Sequence, residues 1–209
     1  MIYVLEHQNP AEGNGLAHLL PQDRQEYISS IRNEKSRGLS LLASLLLCYG
    51  IFEEYGIPAA DLRFVYSPKG KPFLQSHPRI HFSLSHSNIG AAVCIDTSPC
   101  GIDIEAYRPV TQSLVQRVCT PDEQTTVWEN NDPKRHFTAL WALKESYVKA
   151  VGGVLSDGLQ KISFIIEENQ VKTSCPFPFF LFPCDAYAVA SCSSAHKIKK
   201  ISLCELQKL

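Results

Sequence analysis

The chain has 209 residues, 44% of them apolar, and a formal net charge of −1. This length suffices for a substantial core, in one domain or in two small ones. The near-zero net charge argues against electrostatic binding of nucleic acid or of an anionic membrane surface. The start, MIYVLEHQNP, lacks signal-peptide features and no C-x-x-C pair occurs among the eight Cys, so we expect a cytoplasmic protein with reduced thiols.

The first half of the chain is predicted to form a helix followed by strands. Apolar residues recur at helical spacing over 34–55, and Gly56 and Pro58 end this helix. Its apolar run, LSLLASLLLCYGIF, is too short to span a bilayer, so we expect no membrane partner. Next come a predicted strand, DLRFVY, a turn, SPKGKP, and a hairpin with the arms IHFSLSH and GAAVCID.

The second half repeats this order of elements. Asp132 is a favourable N-cap and Pro133 a favourable first residue for a helix that ends at Gly152 and Gly153. A predicted strand, KISFII, a turn, EENQ, and a further pair of strands, AYAVASC and KKISLCEL, follow it. The similarity is one of order and not of residues. It reflects either chance or two related α+β lobes, 1–100 and 101–209, with a site in the cleft where they join.

The stretch GIDIE, residues 101–105, places two carboxylates on one face of a predicted strand. Apolar and acidic residues alternate here, so the side chains of Asp103 and Glu105 point the same way. They stand roughly 7 Å apart, and at an effective dielectric near 20 their repulsion is about 2 kcal/mol if both are ionised. Taken alone, this D-x-E pattern is more typical of a solvated strand face.

A third carboxylate lies on the predicted second helix. Glu145 and Lys149 border its apolar face, and taken alone they form an exposed ion pair contributing about 0.3–0.5 kcal/mol. Together with Asp103 and Glu105, however, Glu145 completes a set that suits Mg²⁺, a cation that prefers oxygen ligands and keeps substrate phosphates in its shell. The metal would relieve the repulsion between the carboxylates. Lys144 falls inside the apolar face, and we expect its ammonium to extend outward to water.

Four short motifs resemble, in order and separation, those of the surfactin-type 4′-phosphopantetheinyl transferases. They are KGKPF (69–73), FSLSHS (82–87), GIDIE (101–105) and WALKESYVKAVGGVL (141–155). The resemblance spans about residues 21–209. It implies transfer of the phosphopantetheine arm of coenzyme A to a serine of an apo acyl or peptidyl carrier protein, with Mg²⁺. It also implies a monomer with two similar α+β lobes related by a pseudo-twofold, each a small antiparallel sheet packed on a long helix.

The same resemblance assigns roles around the metal. Asp103, Glu105 and Glu145 would hold Mg²⁺ against the pyrophosphate of coenzyme A. Glu145 would also help to take the proton of the carrier serine, directly or through water. Lys149 would contact the pyrophosphate and stabilise or protonate the leaving 3′,5′-ADP.

Residues of the first half are matched to coenzyme A contacts. These residues are Arg37, Gly70, Lys71, Pro72, Ser85 and His86. Without the resemblance, Arg37 would be a solvated helix charge, the G-K-P sequence an ordinary turn and His86 a structural residue. Asp23 and Glu26 depart from the family pattern, because they stand where the surfactin-type enzyme has lysines near the 3′-phosphate. Either nearby basic residues replace those lysines, with Arg24, Arg32 and Lys35 as candidates, or the 3′-phosphate is bound more weakly.

Two other classes of function fit part of the sequence. Another Mg²⁺-dependent phosphoryl-transfer enzyme or phosphodiester hydrolase would use the same acidic residues without a carrier protein, and would not need the S-H-S and G-K-P sequences. A non-catalytic coenzyme A or carrier-protein binding module would not need the intact carboxylate set or Lys149. The stretch TPDE is assigned a structural role, because Thr120 and Glu123 can form a capping box.

Overall fold

A computed structural model of the protein describes residues 1–6, 9–153, 159–168 and 170–209. The fold is α+β. The elements up to residue 106 are β1 (Ile2–Glu6), α1 (Gln22–Ser29), α2 (Glu34–Tyr55), β2 (Phe64–Tyr66), β3 (Pro72–Leu74), β4 (His81–Ser87), β5 (Gly90–Asp96) and β6 (Gly101–Ala106). Those that follow are α3 (Gln112–Val118), α4 (Pro121–Glu129), α5 (Pro133–Ala150), β7 (Ile165–Glu167), β8 (Gln170–Lys172), β9 (Phe179–Pro183), β10 (Tyr187–Cys192), β11 (Ile198–Ile201) and α6 (Leu203–Leu206).

The first sheet has the strand order β11–β1–β5–β4. Strands β4 and β5 form the predicted hairpin, with Ser85 opposite Ala92. Strand β11, near the C-terminal end of the chain, completes the sheet by pairing in parallel with β1. The prediction that KKISLCEL pairs with AYAVASC is therefore wrong. Its second half is helical, because Ser202 and Glu205 form a capping box that starts α6.

Helix α2 packs on the first sheet and has the predicted bounds. Asn33 caps its start by accepting a hydrogen bond from the N–H of Ser36, and Gly56 ends it in the left-handed conformation (φ 66°). By length and composition alone α2 could cross a membrane, but most of the helix is buried inside the protein. Its apolar side chains thus pack in a core with those of β1 and β5 in the first sheet.

The second sheet has the order β6–β10–β9 and is antiparallel throughout. Helix α5 packs on β6 and β10. It starts where the sequence predicts, since Asp132 accepts a hydrogen bond from the N–H of Arg135 and Pro133 is its first residue. A further core lies between the two sheets and joins apolar side chains of β1 and β5 to those of β6 and β10. The pseudo-twofold and the division into lobes at residue 100 stay predictions.

A buried ion pair corrects two sequence predictions. The side chain of Lys144 is fully buried, and its Nζ lies 2.8 Å from Glu123 Oε2. It also donates to the carbonyl oxygens of Leu159 (2.8 Å) and Ile162 (2.6 Å), so the ammonium does not extend to water. The predicted strand KISFII begins late, at Ile165, because its first residue ends a 3₁₀ helix (Leu159–Lys161) and the N–H of Phe164 donates to Glu123 instead of to a strand. The structural assignment of Glu123 is confirmed, since it forms a capping box with Thr120.

Candidate active site

A close contact between β6 and α5 brings the acidic residues together. A side chain at Gly101 would begin 1.8 Å from the carbonyl oxygen of Ser146, so only glycine allows the strand to approach the helix this closely. The contact lies two residues before Asp103 on the strand, and one residue after Glu145 on the helix. Helix periodicity places Lys149 one turn beyond Glu145. Gly101, the first residue of the GIDIE motif, thus sets the distance between its carboxylates and the helix.

Asp103 is the most buried of the three acids, with 3% of its surface exposed. Its Oδ1 accepts hydrogen bonds from Lys149 Nζ and from Ser85 Oγ, each at 2.7 Å. Lys149 Nζ also donates to Ser85 Oγ at 2.8 Å, so the three groups form a closed triangle. Asp103 Oδ2 is buried, and it has no hydrogen-bond partner among the described residues. Such an oxygen lacks the compensation that burial normally requires.

The other two acids have perturbed pKa values. Burial, and next the charge of Asp103, raise the pKa of Glu145 to about 7, with Lys149 acting in the opposite direction. Burial, followed by the charge of Asp103, also raises the pKa of Glu105. Each acid therefore feels its neighbours, as expected when carboxylates share one poorly solvated site. The structure brings together the predicted set of Asp103, Glu105, Glu145 and Lys149.

The donor set suits a hard divalent cation. Carboxylate oxygens are the ligands that Mg²⁺ prefers, and the unpartnered Oδ2 of Asp103 is available as one of them. Across the described parts of the chain, no three His, Cys, Asp or Glu side chains are close enough to form a ready-made metal cluster. The other oxygen of Asp103 is held by the ammonium of Lys149. The residues therefore fit Mg²⁺ by chemistry, with one ligand atom engaged by a lysine.

A pocket of about 240 Å³ opens beside Lys149. Its lining includes residues 69–72, residues 82–84 of β4, and Gly152 and Gly153. A second pocket, of about 390 Å³, adjoins it and shares Lys69, Lys71 and Gly152 with it. The predicted residues Gly70, Lys71 and Pro72 are thus placed next to Lys149. Gly70 adopts a positive φ of 84°, which favours glycine in this turn.

Lys71 has a structural contact that the sequence does not reveal. Its Nζ donates to the carbonyl oxygens of Cys100 (3.2 Å), Lys149 (2.5 Å) and Ala150 (3.1 Å). These bonds add a donor to the carbonyls at the end of α5 and tie that end to the start of β6. Burial lowers the pKa of Lys71. The ammonium therefore fixes the backbone that carries Lys149, while the side chain lines the pocket.

Ser85 and His86 are consecutive residues of β4. Ser85 is buried, and its hydroxyl donates to Asp103, a contact between strands that the sequence analysis missed. No local signal reveals it, because it depends on β4 lying beside β6. The N–H of Ile102 on β6 likewise donates to Ser83 Oγ on β4, at 3.1 Å. Burial, and next the charge of Lys149, lower the pKa of His86, which favours a neutral imidazole at pH 7.

Arg37 is not brought to this pocket. It lines a different one, of about 440 Å³, together with Gln25 and Glu26. Its Nη1 donates to the carbonyl oxygen of Ile31 at 3.3 Å. A role for Arg37 toward coenzyme A therefore stays a prediction.

Asp23 and Arg24 have structural partners. Asp23 Oδ2 accepts a hydrogen bond from the N–H of Phe64 at 2.6 Å. Arg24 is almost fully buried and donates to Ser44 Oγ (2.9 Å) and Tyr66 OH (2.6 Å). The acid at position 23, which departs from the family pattern, thus holds α1 to β2, and Arg24 is engaged in the same junction.

Comparisons with known proteins agree with these motifs. The family model of the 4′-phosphopantetheinyl transferase superfamily matches residues 99–193, which include all three acids and Lys149. The Bacillus subtilis 4′-phosphopantetheinyl transferase ffp is 27% identical over 185 residues, which are 88% of this chain and 82% of that protein. The 4′-phosphopantetheinyl transferase Sfp of Bacillus subtilis strain 168 is 26% identical over 178 residues, 84% of this chain and 80% of that protein.

A solved structure gives a weaker match. The holo-[acyl-carrier-protein] synthase of Thermotoga maritima aligns with a TM-score of 0.40 and 20% identity, over 44% of this chain and 60% of that one. The motifs, the sequence relatives and the family model support one assignment. By these comparisons the chain is similar, over most of its length, to the 4′-phosphopantetheinyl transferases.

Proposed function

We propose that the protein transfers the 4′-phosphopantetheine arm of coenzyme A to a serine of an apo acyl or peptidyl carrier protein. One observation carries the assignment of the site. The buried Asp103 has one oxygen unpartnered and the other bound to the ammonium of Lys149, a residue that lines the same pocket as the G-K-P turn. The names of the sequence relatives support the reaction.

In this reaction the serine oxygen forms a bond to the phosphorus that carries the pantetheine arm, and the bond from that phosphorus to 3′,5′-ADP breaks. Asp103, Glu105 and Glu145 would hold Mg²⁺, which supplies charge neutralisation at the pyrophosphate. Glu145 would accept the serine proton, directly or through water.

Lys149 would act on the leaving group. Its ammonium is part-exposed beside the pocket and is held by Ser85 and Asp103. From there it can stabilise the negative charge that develops on 3′,5′-ADP, or donate a proton to it. Gly70, Lys71 and Pro72 would border the nucleotide.

His86 would meet a phosphate as a neutral hydrogen-bond donor, because its pKa is lowered. Arg37 is retained as a candidate contact of the 3′-phosphate. All eight cysteines are free thiols, which agrees with the cytoplasmic location that we also propose.

Release of 3′,5′-ADP in the presence and absence of an apo carrier protein tests the proposed function. The protein is incubated with coenzyme A and Mg²⁺, and 3′,5′-ADP is measured by chromatography. We expect release only when the apo carrier is present, and none with a carrier whose acceptor serine is replaced by alanine. Equal release without a carrier would instead indicate a phosphodiester hydrolase that uses the same acidic residues.

A further inference from the structure

The ammonium of Lys149 lies where a metal ligand is expected to be free. It is 2.7 Å from Asp103 Oδ1, and Ser85 Oγ donates to the same oxygen at the same distance. Asp103 Oδ2 has no hydrogen-bond partner in the described part of the chain. The two oxygens of this carboxylate therefore differ in their partners, since Oδ1 is bound to the ammonium of Lys149 and Oδ2 is unpartnered.

The positive charge of Lys149 acts on the whole acidic set. It lowers the pKa of both Glu145 and Glu105, against the effects of burial and of Asp103. A lysine so placed does electrostatically what a bound cation would do, since it offsets the repulsion between buried carboxylates. A cation held by Asp103, Glu105 and Glu145 would be repelled by the ammonium that is bound to Asp103, because like charges repel strongly at close range.

We propose that Lys149 is the internal counter-ion of the metal site, and that in the free enzyme it competes with Mg²⁺ for Asp103. This inference rests on the proposed function, because it takes Asp103, Glu105 and Glu145 as the metal ligands. The pyrophosphate of coenzyme A offers the ammonium another anionic partner, beside the pocket that Lys149 lines. Lys149 leaves Asp103 for that partner, so coenzyme A strengthens Mg²⁺ binding through this residue.

The structure permits such a movement. About 29% of the Lys149 side chain is exposed, whereas Lys144, five residues earlier on α5, is fully buried in its ion pair with Glu123. The backbone of Lys149 is held by the ammonium of Lys71, so only the flexible stem of Lys149 needs to change conformation. Ser85 remains beside Asp103 as an uncharged donor.

The test titrates MgCl₂ into the protein in the absence of coenzyme A and measures binding by isothermal titration calorimetry. The ionic strength is fixed and the pH is about 8.5, above the pKa of Glu145. Lys149→Met and Lys149→Gln remove the ammonium and keep a side chain of similar length. We expect both variants to bind Mg²⁺ about tenfold more tightly than the wild type, or better. Thermal unfolding of each variant verifies that it is folded.

Two controls separate competition at Asp103 from a general effect of charge. Lys172→Met removes the same charge from an exposed ion pair with Glu167, and we expect unchanged affinity. Ser85→Ala removes the uncharged donor to Asp103 Oδ1, and we expect a smaller effect than that of Lys149→Met.

Unchanged or weaker Mg²⁺ binding in both folded Lys149 variants would overturn the inference. A second series with coenzyme A present distinguishes this failure from that of the proposed function. If the wild type binds Mg²⁺ in the presence of coenzyme A while the Lys149 variants gain nothing in its absence, only the counter-ion role is lost. If the wild type binds no Mg²⁺ even with coenzyme A, the assignment of the metal ligands fails as well.

Discussion

At the scale of single residues, the site holds three carboxylates and one ammonium in a small, poorly solvated volume. Asp103 and Glu145 are both more than nine-tenths buried, and the charge of Asp103 adds to burial in raising the pKa of Glu145 and of Glu105. Lys149 offsets part of this cost through its contact with Asp103. This attraction between Lys149 and Asp103 helps to keep the acids near one another despite their repulsion.

Replacement of Lys149 tests its action on the leaving group. We expect Lys149→Ala to lower kcat and kcat/KM together by about 10²-fold or more, because the ammonium acts most strongly as 3′,5′-ADP departs. Lys149→Arg should not restore full activity, since a guanidinium keeps the charge but does not readily give up a proton. Steady-state kinetics at saturating Mg²⁺ give both values. Wild-type rates in the alanine variant would show that Lys149 has no role in the chemical step.

The raised pKa of Glu145 predicts a pH dependence of stability. The folded protein binds this proton more tightly than the unfolded chain, so the stabilisation is complete below the ordinary pKa of 4.5 and is lost as pH rises through about 7. In EDTA, the wild type should therefore lose roughly 1–2 kcal/mol of unfolding free energy between about pH 5 and about pH 8. Glu145→Gln should lose less over the same window. Identical pH profiles in urea denaturation would contradict the raised pKa.

His86 is predicted to bind coenzyme A as a neutral donor. We expect His86→Ala to raise the KM for coenzyme A with a smaller effect on kcat, because a contact present equally in the bound and transition states affects binding alone. The measurement is a series of initial rates against coenzyme A concentration with saturating apo carrier. An unchanged KM would mean that the half-buried imidazole is structural.

At the scale of elements, the contact between β6 and α5 at Gly101 determines the geometry of the site. The sequence predicts both elements well, because α5 has a clear N-cap and β6 alternates regularly. It does not reveal why residue 101 must be glycine, since the clash is with Ser146, 45 positions later in the chain, whose carbonyl oxygen lies 1.8 Å from a Cβ at position 101. The contact of Ser85 with Asp103 is hidden for the same reason, as it needs two strands from different sheets.

Gly101→Ala tests this contact. The added methyl group must push β6 away from the backbone of α5, so we expect a loss of about 1–3 kcal/mol of unfolding free energy and a large loss of transfer activity. Gly15→Ala is the matched control, because a Cβ at Gly15 has nothing within 4 Å. Chemical denaturation of both variants gives the comparison. Equal stability of the two would show that the strand can shift at no cost, and that Gly101 does not set the spacing.

At the scale of the whole molecule, the two sheets enclose a common core, and the candidate site lies where β4, β6 and α5 meet. The helices with strong caps and the alternating strands were predictable because their signals are local. The parallel pairing of β11 with β1 was not, since Ile198 and Ile2 lie at opposite ends of the chain and no local pattern specifies the partner. The proximity of the three acids to Lys149 was predictable only through the family motifs, because it depends on how β6 packs against α5.

The central claim is that the site built on Asp103 transfers phosphopantetheine to a carrier protein. Intact-mass spectrometry of an apo carrier, after incubation with coenzyme A, Mg²⁺ and either the wild type or Asp103→Asn, tests it most directly. The wild type should add the mass of one phosphopantetheine group at the acceptor serine. Asp103→Asn, which removes the negative charge but keeps the shape of the side chain, should leave the carrier unmodified although the variant is folded. An unmodified carrier with the wild type, across a panel of carriers, or full modification by Asp103→Asn would contradict the account.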